Sequence, residues 1–112
     1  MTRKEFEKLV RNALKALPKR FKEKLRNVDV VIEDGAKERA LMGLYEGVPL
    51  KDRTQEYSLA MPDKITLFKR NIETECGVRG LDVQTEIGHV IQHEIAHHFG
   101  ISDERLEDMG VY

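Results

Sequence analysis

The sequence predicts one small domain that combines α-helices with β-strands. Apolar residues recur at helical spacing over residues 2–17 and again over residues 82–99. Between these two stretches, residues 28–32 and residues 64–70 have the short apolar patterns that are typical of strands. Because a chain of 112 residues has room for a single hydrophobic core, we expect residues 1–112 to form one domain.

The composition is that of an ordinary folded protein. Hydrophobic residues make up 40% of the chain and charged residues 35%, with a net charge of −1. Cys76 is the single cysteine, so the chain can form no internal disulfide, which favours a reducing compartment. Residues 1–10 are too charged for a signal peptide, and no apolar run is long enough to cross a membrane. The sequence therefore predicts a cytoplasmic protein with no membrane partner.

Charge is unevenly distributed along the chain. Residues 1–26 contain ten Lys or Arg and three Glu, a balance of +7, whereas the remaining residues have a balance of −8. A basic segment of this kind can contact nucleic acid or another anionic surface. Because it lacks interleaved aromatic residues and a Gly-rich RNA-binding signature, we favour a solvated helix face. Nucleic acid is therefore the less favoured partner.

The first quarter of the chain predicts a helix followed by a strand. Thr2 and Glu5 have the spacing of a capping box, and Pro18 interrupts the helix that they begin. The apolar positions of this helix are Phe6, Leu9, Val10, Ala13, Leu14 and Leu17. Residues 28–32 predict the strand, which the Asp-Gly pair at residues 34–35 closes with a turn.

The middle of the chain is less regular. Residues 36–62 contain Gly43, Gly47, Pro49 and Pro62, and they predict a long loop with short elements in it. Residues 64–70 alternate apolar with polar side chains and predict a second strand. Residues 71–80 predict a short connection.

A long helix is predicted over residues 82–99. Its apolar stripe consists of Val83, Ile87, Val90, Ile91 and Ile95. Gly100 suits the left-handed backbone conformation that often ends a helix. Residues 101–106 then have the pattern of an N-cap that begins a short last helix.

The long helix contains the pattern H-E-x-x-H at residues 93–97. His93 and His97 are four residues apart and therefore lie on one helical face, where both rings can reach one metal ion. Glu94 is adjacent to them, in a position to contact water bound to that metal and to act as a general base. The pattern predicts a zinc site on this helix.

The residues after the motif predict a third zinc ligand. Gly100 follows His97 by three residues and Asp103 follows Gly100 by three, which is the spacing of longer zinc-peptidase motifs with a third histidine in the last place. A glycine at the helix end lets the chain reverse, and a carboxylate is an acceptable zinc ligand. Three protein ligands would leave a fourth position for water, as in catalytic sites. Three nearby carboxylates compete with Asp103 for this role: Glu104, Glu107 and Asp108.

Four further residues near the motif are interpreted as supporting groups. His89 is on the same face as His93 but about 12 Å along the helix axis from His97, so we expect it in a channel or a polar core position. His98 points away from His97 and is expected to pack or to be exposed. We expect Gly88 to allow close packing against a neighbouring element, and we expect Cys76 to be a small buried side chain.

With these residues in place, the chain closely resembles the small bacterial zincin-like metallopeptidases, which are also described as minimal zincins. Three segments carry the resemblance: residues 43–50 (GLYEGVPL), residues 59–67 (LAMPDKITL) and, most strongly, residues 93–106 (HEIAHHFGISDERL). The resemblance extends over most of the chain.

The resemblance implies both a fold and a set of site residues. It implies that His93, His97 and Asp103 are the zinc ligands and that Glu94 is the catalytic carboxylate. It also implies an α+β fold of the zincin type, in which a small mixed sheet packs on the N-terminal and active-site helices. An edge strand would line the cleft in such a fold, and residues 64–70 are our candidate for that strand.

The expected activity is zinc-dependent hydrolysis of a peptide or protein substrate. Glu94 would accept a proton from the attacking water and pass it to the leaving amine. Tyr45, with Arg70 behind it, is a candidate for stabilising the oxyanion, although we favour an aromatic packing role for Tyr45. The sequence leaves the oligomeric state open.

Three other functions remain as alternatives. The site could bind zinc for stability or regulation without peptide turnover. It could belong to another zinc hydrolase, since residues 92–94 (QHE) are similar to the deformylase motif, although Cys76 is not in the context of that family's cysteine. It could also belong to a nucleic-acid-directed protein that uses the basic residues 1–26.

Overall fold

The computed structural model describes residues 1–47 and 62–100. This part of the chain contains four helices and three strands. They are α1 (Arg3–Ala16), α2 (Lys19–Lys24), β1 (Val28–Glu33), β2 (Gly43–Glu46), β3 (Asp63–Phe68), α3 (Lys69–Arg79) and α4 (Val83–His98). The fold is mixed α+β, as the sequence predicted. No helix among the described residues is long and apolar enough to span a membrane.

The predicted capping box and apolar stripe both position α1. The Thr2 hydroxyl accepts a hydrogen bond from the Glu5 backbone, and the Glu5 side chain accepts one from the Thr2 backbone. Three residues at helical spacing, Phe6, Val10 and Ala13, are buried. Pro18 ends this helix and caps α2, because proline lacks the N–H that a continuing helix requires. The first helix therefore packs one face on the core and exposes its lysines and arginines.

The three strands form one mixed sheet in the order β1-β3-β2. The central strand β3 is parallel to β1 and antiparallel to β2. Its residues 65–67 point alternately to the two faces of the sheet, and all three are buried, so both faces are covered. The prediction that residues 64–70 form an edge strand is therefore wrong. Among the described strands, β1 and β2 are the two edges, and β2 is the edge strand that packs against α4.

The predicted connection over residues 71–80 is wrong, because these residues belong to the helix α3. Lys69 and Arg70 begin this helix, so the preceding strand ends at Phe68. The apolar pattern is weak here because a buried polar residue, Asn71, replaces an apolar one on the inner face. Its Nδ2 donates to the carbonyl oxygens of Glu38 and Leu41, each at 2.8 Å. Asn71 thus holds the loop that precedes β2.

The third helix also buries the single cysteine. Cys76 is 4% exposed and belongs to the core, which confirms the predicted small buried side chain. Burial raises the pKa of its thiol, and the nearby carboxylates of Glu86 and Asp82 raise that pKa further. A thiol in this environment stays protonated, so it is a poor nucleophile and a poor metal ligand.

The predicted long helix is confirmed, and it is the element around which the rest of the described chain packs. The residues of α4 that are buried are Ile87, Val90, Ile91, Ile95 and Ala96. After it, Gly100 has a φ of 73°, the left-handed conformation predicted for this position. The predicted role of Gly88 is wrong for the part of the chain that the structure describes, because a Cβ built there would meet none of its atoms within 4 Å.

Candidate metal centre

The two histidines of the motif lie together on α4. Asp82 caps the start of this helix, with Oδ2 accepting hydrogen bonds from the Thr85 backbone at 3.0 Å and the Thr85 hydroxyl at 2.9 Å. Eleven and fifteen residues later, the rings of His93 and His97 have centroids 4.6 Å apart, with an angle of 55° between their planes. His93 is half-buried and His97 is exposed. Helical geometry thus presents two imidazoles from consecutive turns to the same space.

This pair of side chains fits a zinc ion. Neutral imidazole nitrogen is a preferred zinc ligand, and two imidazoles one turn apart can approach one ion from the same side. Within residues 1–47 and 62–100, no group of three His, Cys, Asp or Glu side chains is close enough to hold a metal. The predicted third ligand, Asp103, lies outside the described residues, as do the alternatives Glu104, Glu107 and Asp108.

Glu94 is held beside the histidines by the edge strand. The backbone N–H of Tyr45, in β2, donates to Glu94 Oε1 at 3.1 Å. This bond is possible because the Tyr45 N–H points away from β3. Next to β2, Met42 bonds to β3, since its carbonyl oxygen accepts from the Phe68 N–H at 3.0 Å. In an antiparallel pair the backbone groups of alternate residues point towards and away from the partner strand, so those of Tyr45, three residues later, point away. One carboxylate oxygen is therefore fixed in place, and the half-buried side chain has a defined orientation.

A glycine allows β2 to approach α4 this closely. A Cβ built on Gly43 would lie 2.6 Å from Val90 Cγ1 and 3.3 Å from Glu94 Cγ. The first distance is shorter than carbon atoms tolerate, so any larger residue would push the strand away from the helix. The sequence analysis placed Gly43 in a loop and assigned it no role. The close approach depends on the packing of two distant segments, which local sequence does not reveal.

The Tyr45 side chain fixes the same strand against α4 two residues further along, on the same face as Gly43. Its hydroxyl donates to Asp63 Oδ2 at 2.8 Å, and its ring stacks on His98 with centroids 3.9 Å apart and planes 17° from parallel. The expectation that His98 packs rather than joins the histidine pair is thus confirmed. These contacts support an anchoring role for Tyr45, the alternative that we favoured over oxyanion stabilisation.

Arg70 does not support Tyr45 as suggested from the sequence. Its backbone N–H donates to the Asp34 carbonyl oxygen at 2.8 Å, and its guanidinium lies against Gly35. Tyr45 pairs with Ile65, which precedes Arg70 by five residues along the chain. The two residues therefore belong to different ends of the sheet.

A cleft of about 480 Å³ extends from His93 and Glu94 along α4 towards its N-terminus. The loop before β2 forms one wall, and residues near the end of α3 contribute to the other. His89 lines the cleft and is exposed, in agreement with its predicted place in a channel. The histidine pair and Glu94 thus lie at one end of a cavity that can hold a small ligand or a side chain.

Comparison with protein families agrees with this geometry. The model of the zincin-like metallopeptidase family matches residues 25–111. The chain belongs to this family. The match includes the whole sheet, α3, α4 and the motif at residues 93–97. The comparison with curated proteins gave no match.

Membership of the zincin-like family has two direct consequences. It supports a metal-dependent hydrolase, and it implies zinc as the cofactor. It also agrees with the observed architecture of a small mixed sheet and helices, including the helix that carries the motif. The family match does not assign individual residues, so the ligand set and the catalytic role of Glu94 remain predictions.

Proposed function

We propose that this zincin-like chain is a zinc-dependent peptidase, in which His93, His97 and Asp103 bind the metal and Glu94 is the general base. The observation that carries the proposal is the position of Glu94. Its carboxylate is oriented by the Tyr45 N–H at 3.1 Å, one residue from His93 and at the end of a cleft. A purely structural zinc site would have no use for an oriented carboxylate beside its ligands.

The roles of the chain's own groups follow from this geometry. Zinc, when bound, supplies Lewis-acid polarisation of the scissile carbonyl and lowers the pKa of water. Tyr45 holds Oε1 of Glu94, which leaves the second oxygen to accept a proton from the attacking water. The same carboxyl group then donates that proton to the leaving amine, so that one side chain acts first as base and then as acid.

The cleft supports a peptide as the substrate. It begins at His93 and Glu94, and its volume of about 480 Å³ can take one large side chain together with a short stretch of backbone. The edge of β2 cannot also pair with a peptide by strand addition, because its Tyr45 N–H donates to Glu94 and α4 packs against Gly43. The cleft must therefore supply the side-chain preference.

The proposal is tested with a mixture of peptides digested by the zinc-loaded protein and analysed by mass spectrometry. We expect wild-type protein to cleave a subset of peptides, and Glu94→Gln to lower the rate by about 10²–10⁴-fold, the usual contribution of a general base. Zinc content should be unchanged in the variant. Glu23→Gln, which neutralises an exposed carboxylate on α2, is the matched control and should keep full activity.

Two results would contradict the proposal. Turnover retained by Glu94→Gln would remove Glu94 as the base. Zinc binding without cleavage of any peptide by wild-type protein would leave a zinc-binding member of the family that is not a peptidase.

The third ligand needs a separate experiment. We expect Asp103→Ala, purified in parallel with wild-type protein, to lose zinc or to bind it much more weakly. If zinc content stays unchanged, Asp103 is not a ligand and the competing carboxylates Glu104, Glu107 and Asp108 should be substituted in turn.

A further inference from the structure

The cleft beside the motif has apolar walls. Leu41 and Met42, from the loop before β2, line it on one side, and Leu81 and Val90 also contribute apolar surface. Leu41 is fixed in place because its carbonyl oxygen accepts a hydrogen bond of 2.8 Å from Asn71. A volume of about 480 Å³ accommodates one large side chain with room for a short stretch of backbone.

One acceptor group in this apolar cleft lacks a partner in the described part of the chain. Glu86 is half-buried in the cleft wall, and its carboxylate forms no hydrogen bond or ion pair with any described residue. Gln92 also contributes to the wall, but its Oε1 atom is buried without a hydrogen bond and is out of reach of a ligand in the cleft. A carboxylate among apolar side chains favours a ligand that brings a charged hydrogen-bond donor.

The described residues that line the cleft include one lysine or arginine, Arg79, and its charge is already engaged. Arg79 Nη1 lies 3.6 Å from Glu75 Oε1, in an ion pair one helical turn long, and the Arg79 side chain is 58% exposed. Its charge is therefore offset by Glu75 and screened by water. The carboxylate of Glu86, and not Arg79, should determine the electrostatic preference of the cleft.

The distance along α4 sets the length of the ligand group. Glu86 precedes His93 by seven residues, which corresponds to about 10.5 Å along the helix axis. A short side chain beside the scissile bond cannot reach across this distance, whereas a long side chain with an apolar stem can.

We propose that this cleft is a specificity pocket for a lysine or arginine side chain of the substrate, whose cationic tip is bound by Glu86. The proposal rests on the proposed peptidase function, because it assigns the side chain next to the scissile bond. The aliphatic stem packs between Leu41, Met42 and Val90. The tip donates to the Glu86 carboxylate, which has no partner among the described residues.

Binding is measured on zinc-loaded Glu94→Gln protein, so that no peptide is consumed. Three blocked pentapeptides, identical except for a central lysine, norleucine or glutamate, are titrated by NMR while the amide signals of Leu81 and Val90 are followed. We expect the lysine peptide to bind about tenfold more tightly than norleucine, as for one hydrogen bond to a charged group, and glutamate to bind most weakly.

The residues of the pocket are tested in the same background. Adding Glu86→Gln should bring the lysine peptide to within about twofold of norleucine, because the charge that distinguishes them is gone. The control Glu23→Gln neutralises a carboxylate outside the cleft and should keep the tenfold preference. Thermal unfolding of each variant checks that the fold is intact.

Three outcomes would overturn the pocket assignment. They are equal binding of lysine and norleucine, tightest binding of glutamate that Arg79→Gln abolishes, and binding of none of the peptides in the cleft. Digestion of the same peptides by wild-type protein distinguishes the peptidase proposal from the pocket proposal. A lysine preference in binding without cleavage would contradict only the peptidase, and cleavage without a lysine preference would contradict only the pocket.

Discussion

The two faces of α4 differ in burial and in chemistry. On the face towards the core, Ile87, Ile91 and Ile95 are fully buried. On the face towards the cleft, His93 is half-buried and His97 is exposed. One helix thus performs two tasks. Its apolar side chains fix its position in the core, and its polar side chains remain accessible for binding metal and ligand. A functional site on a helix that is packed in this way is more rigid than one on a loop.

The largest expected effect separates stability from metal binding. Ile91→Ala should lower the free energy of unfolding of the metal-free protein by about 2–5 kcal/mol, because it leaves a cavity in the core. His93→Ala, at a half-buried position on the other face of α4, should lower that free energy by about 1 kcal/mol or less while weakening zinc binding. Urea unfolding in the presence of a chelator measures the free energy of unfolding of each variant, and zinc content measured by mass spectrometry reports the metal binding. Equal destabilisation by the two substitutions would contradict the division of tasks between the faces.

The contact between the cleft face and the edge strand is broken by Gly43→Ala. The added Cβ would collide with Val90 Cγ1, so β2 should move away from α4 at a cost of about 1–3 kcal/mol in stability. The hydrogen bond from Tyr45 to Glu94 should be lost, and the rate of peptide hydrolysis should fall while zinc content stays the same. If the variant hydrolyses peptides at the wild-type rate, the edge strand does not orient Glu94.

Gly88→Ala is the matched control on the same helix. A Cβ at this position meets no atom of residues 1–47 and 62–100 within 4 Å, so alanine should stabilise the protein by about 1 kcal/mol through its higher helix propensity. Thermal unfolding should show a higher Tm for Gly88→Ala and a lower Tm for Gly43→Ala. A lower Tm for Gly88→Ala would mean that the glycine is needed for packing after all.

The smallest expected effect concerns the start of α4. Hydrogen bonds from the Thr85 backbone and hydroxyl hold the pKa of Asp82 below its ordinary value of 3.8. A carboxyl group with a lowered pKa in the folded state stabilises that state above the unfolded pKa, and this contribution is lost as the pH falls through the folded value. Asp82→Asn keeps a capping side chain without the charge. Its Tm deficit relative to wild type should therefore be present at neutral pH and shrink below pH 3.8. A deficit that is independent of pH would assign the effect to shape rather than charge.

Local signals allowed the sequence to predict both faces of α4. The apolar stripe, the position of Gly100 and the histidine pair are all set by helical periodicity within one segment. The capping box of α1 is local in the same sense, because Thr2 and Glu5 are three residues apart. These features were confirmed because each depends only on spacing along the chain.

Features that depend on distant segments were not predicted. The order of the strands could not be deduced, because it depends on segments that are far apart in sequence. Residues 65–67 are buried since β3 lies between β1 and β2, and no local pattern shows that position. The helix α3 was missed because Asn71 takes a core position, where its hydrogen bonds to Glu38 and Leu41 satisfy the amide. The residues that form the walls of the cleft were not predicted for a similar reason, since they come from three separate segments.

The central claim is that the paired histidines of α4 hold zinc, and metal content tests it most directly. Wild-type protein, His97→Ala and His98→Ala are purified identically, and zinc is measured by mass spectrometry. The two variants alter adjacent histidines, of which His97 is paired with His93 and His98 is stacked on Tyr45. We predict one zinc per chain in wild type and His98→Ala, and a loss of zinc in His97→Ala. Full zinc content in His97→Ala, or none in the wild-type protein, would contradict the account.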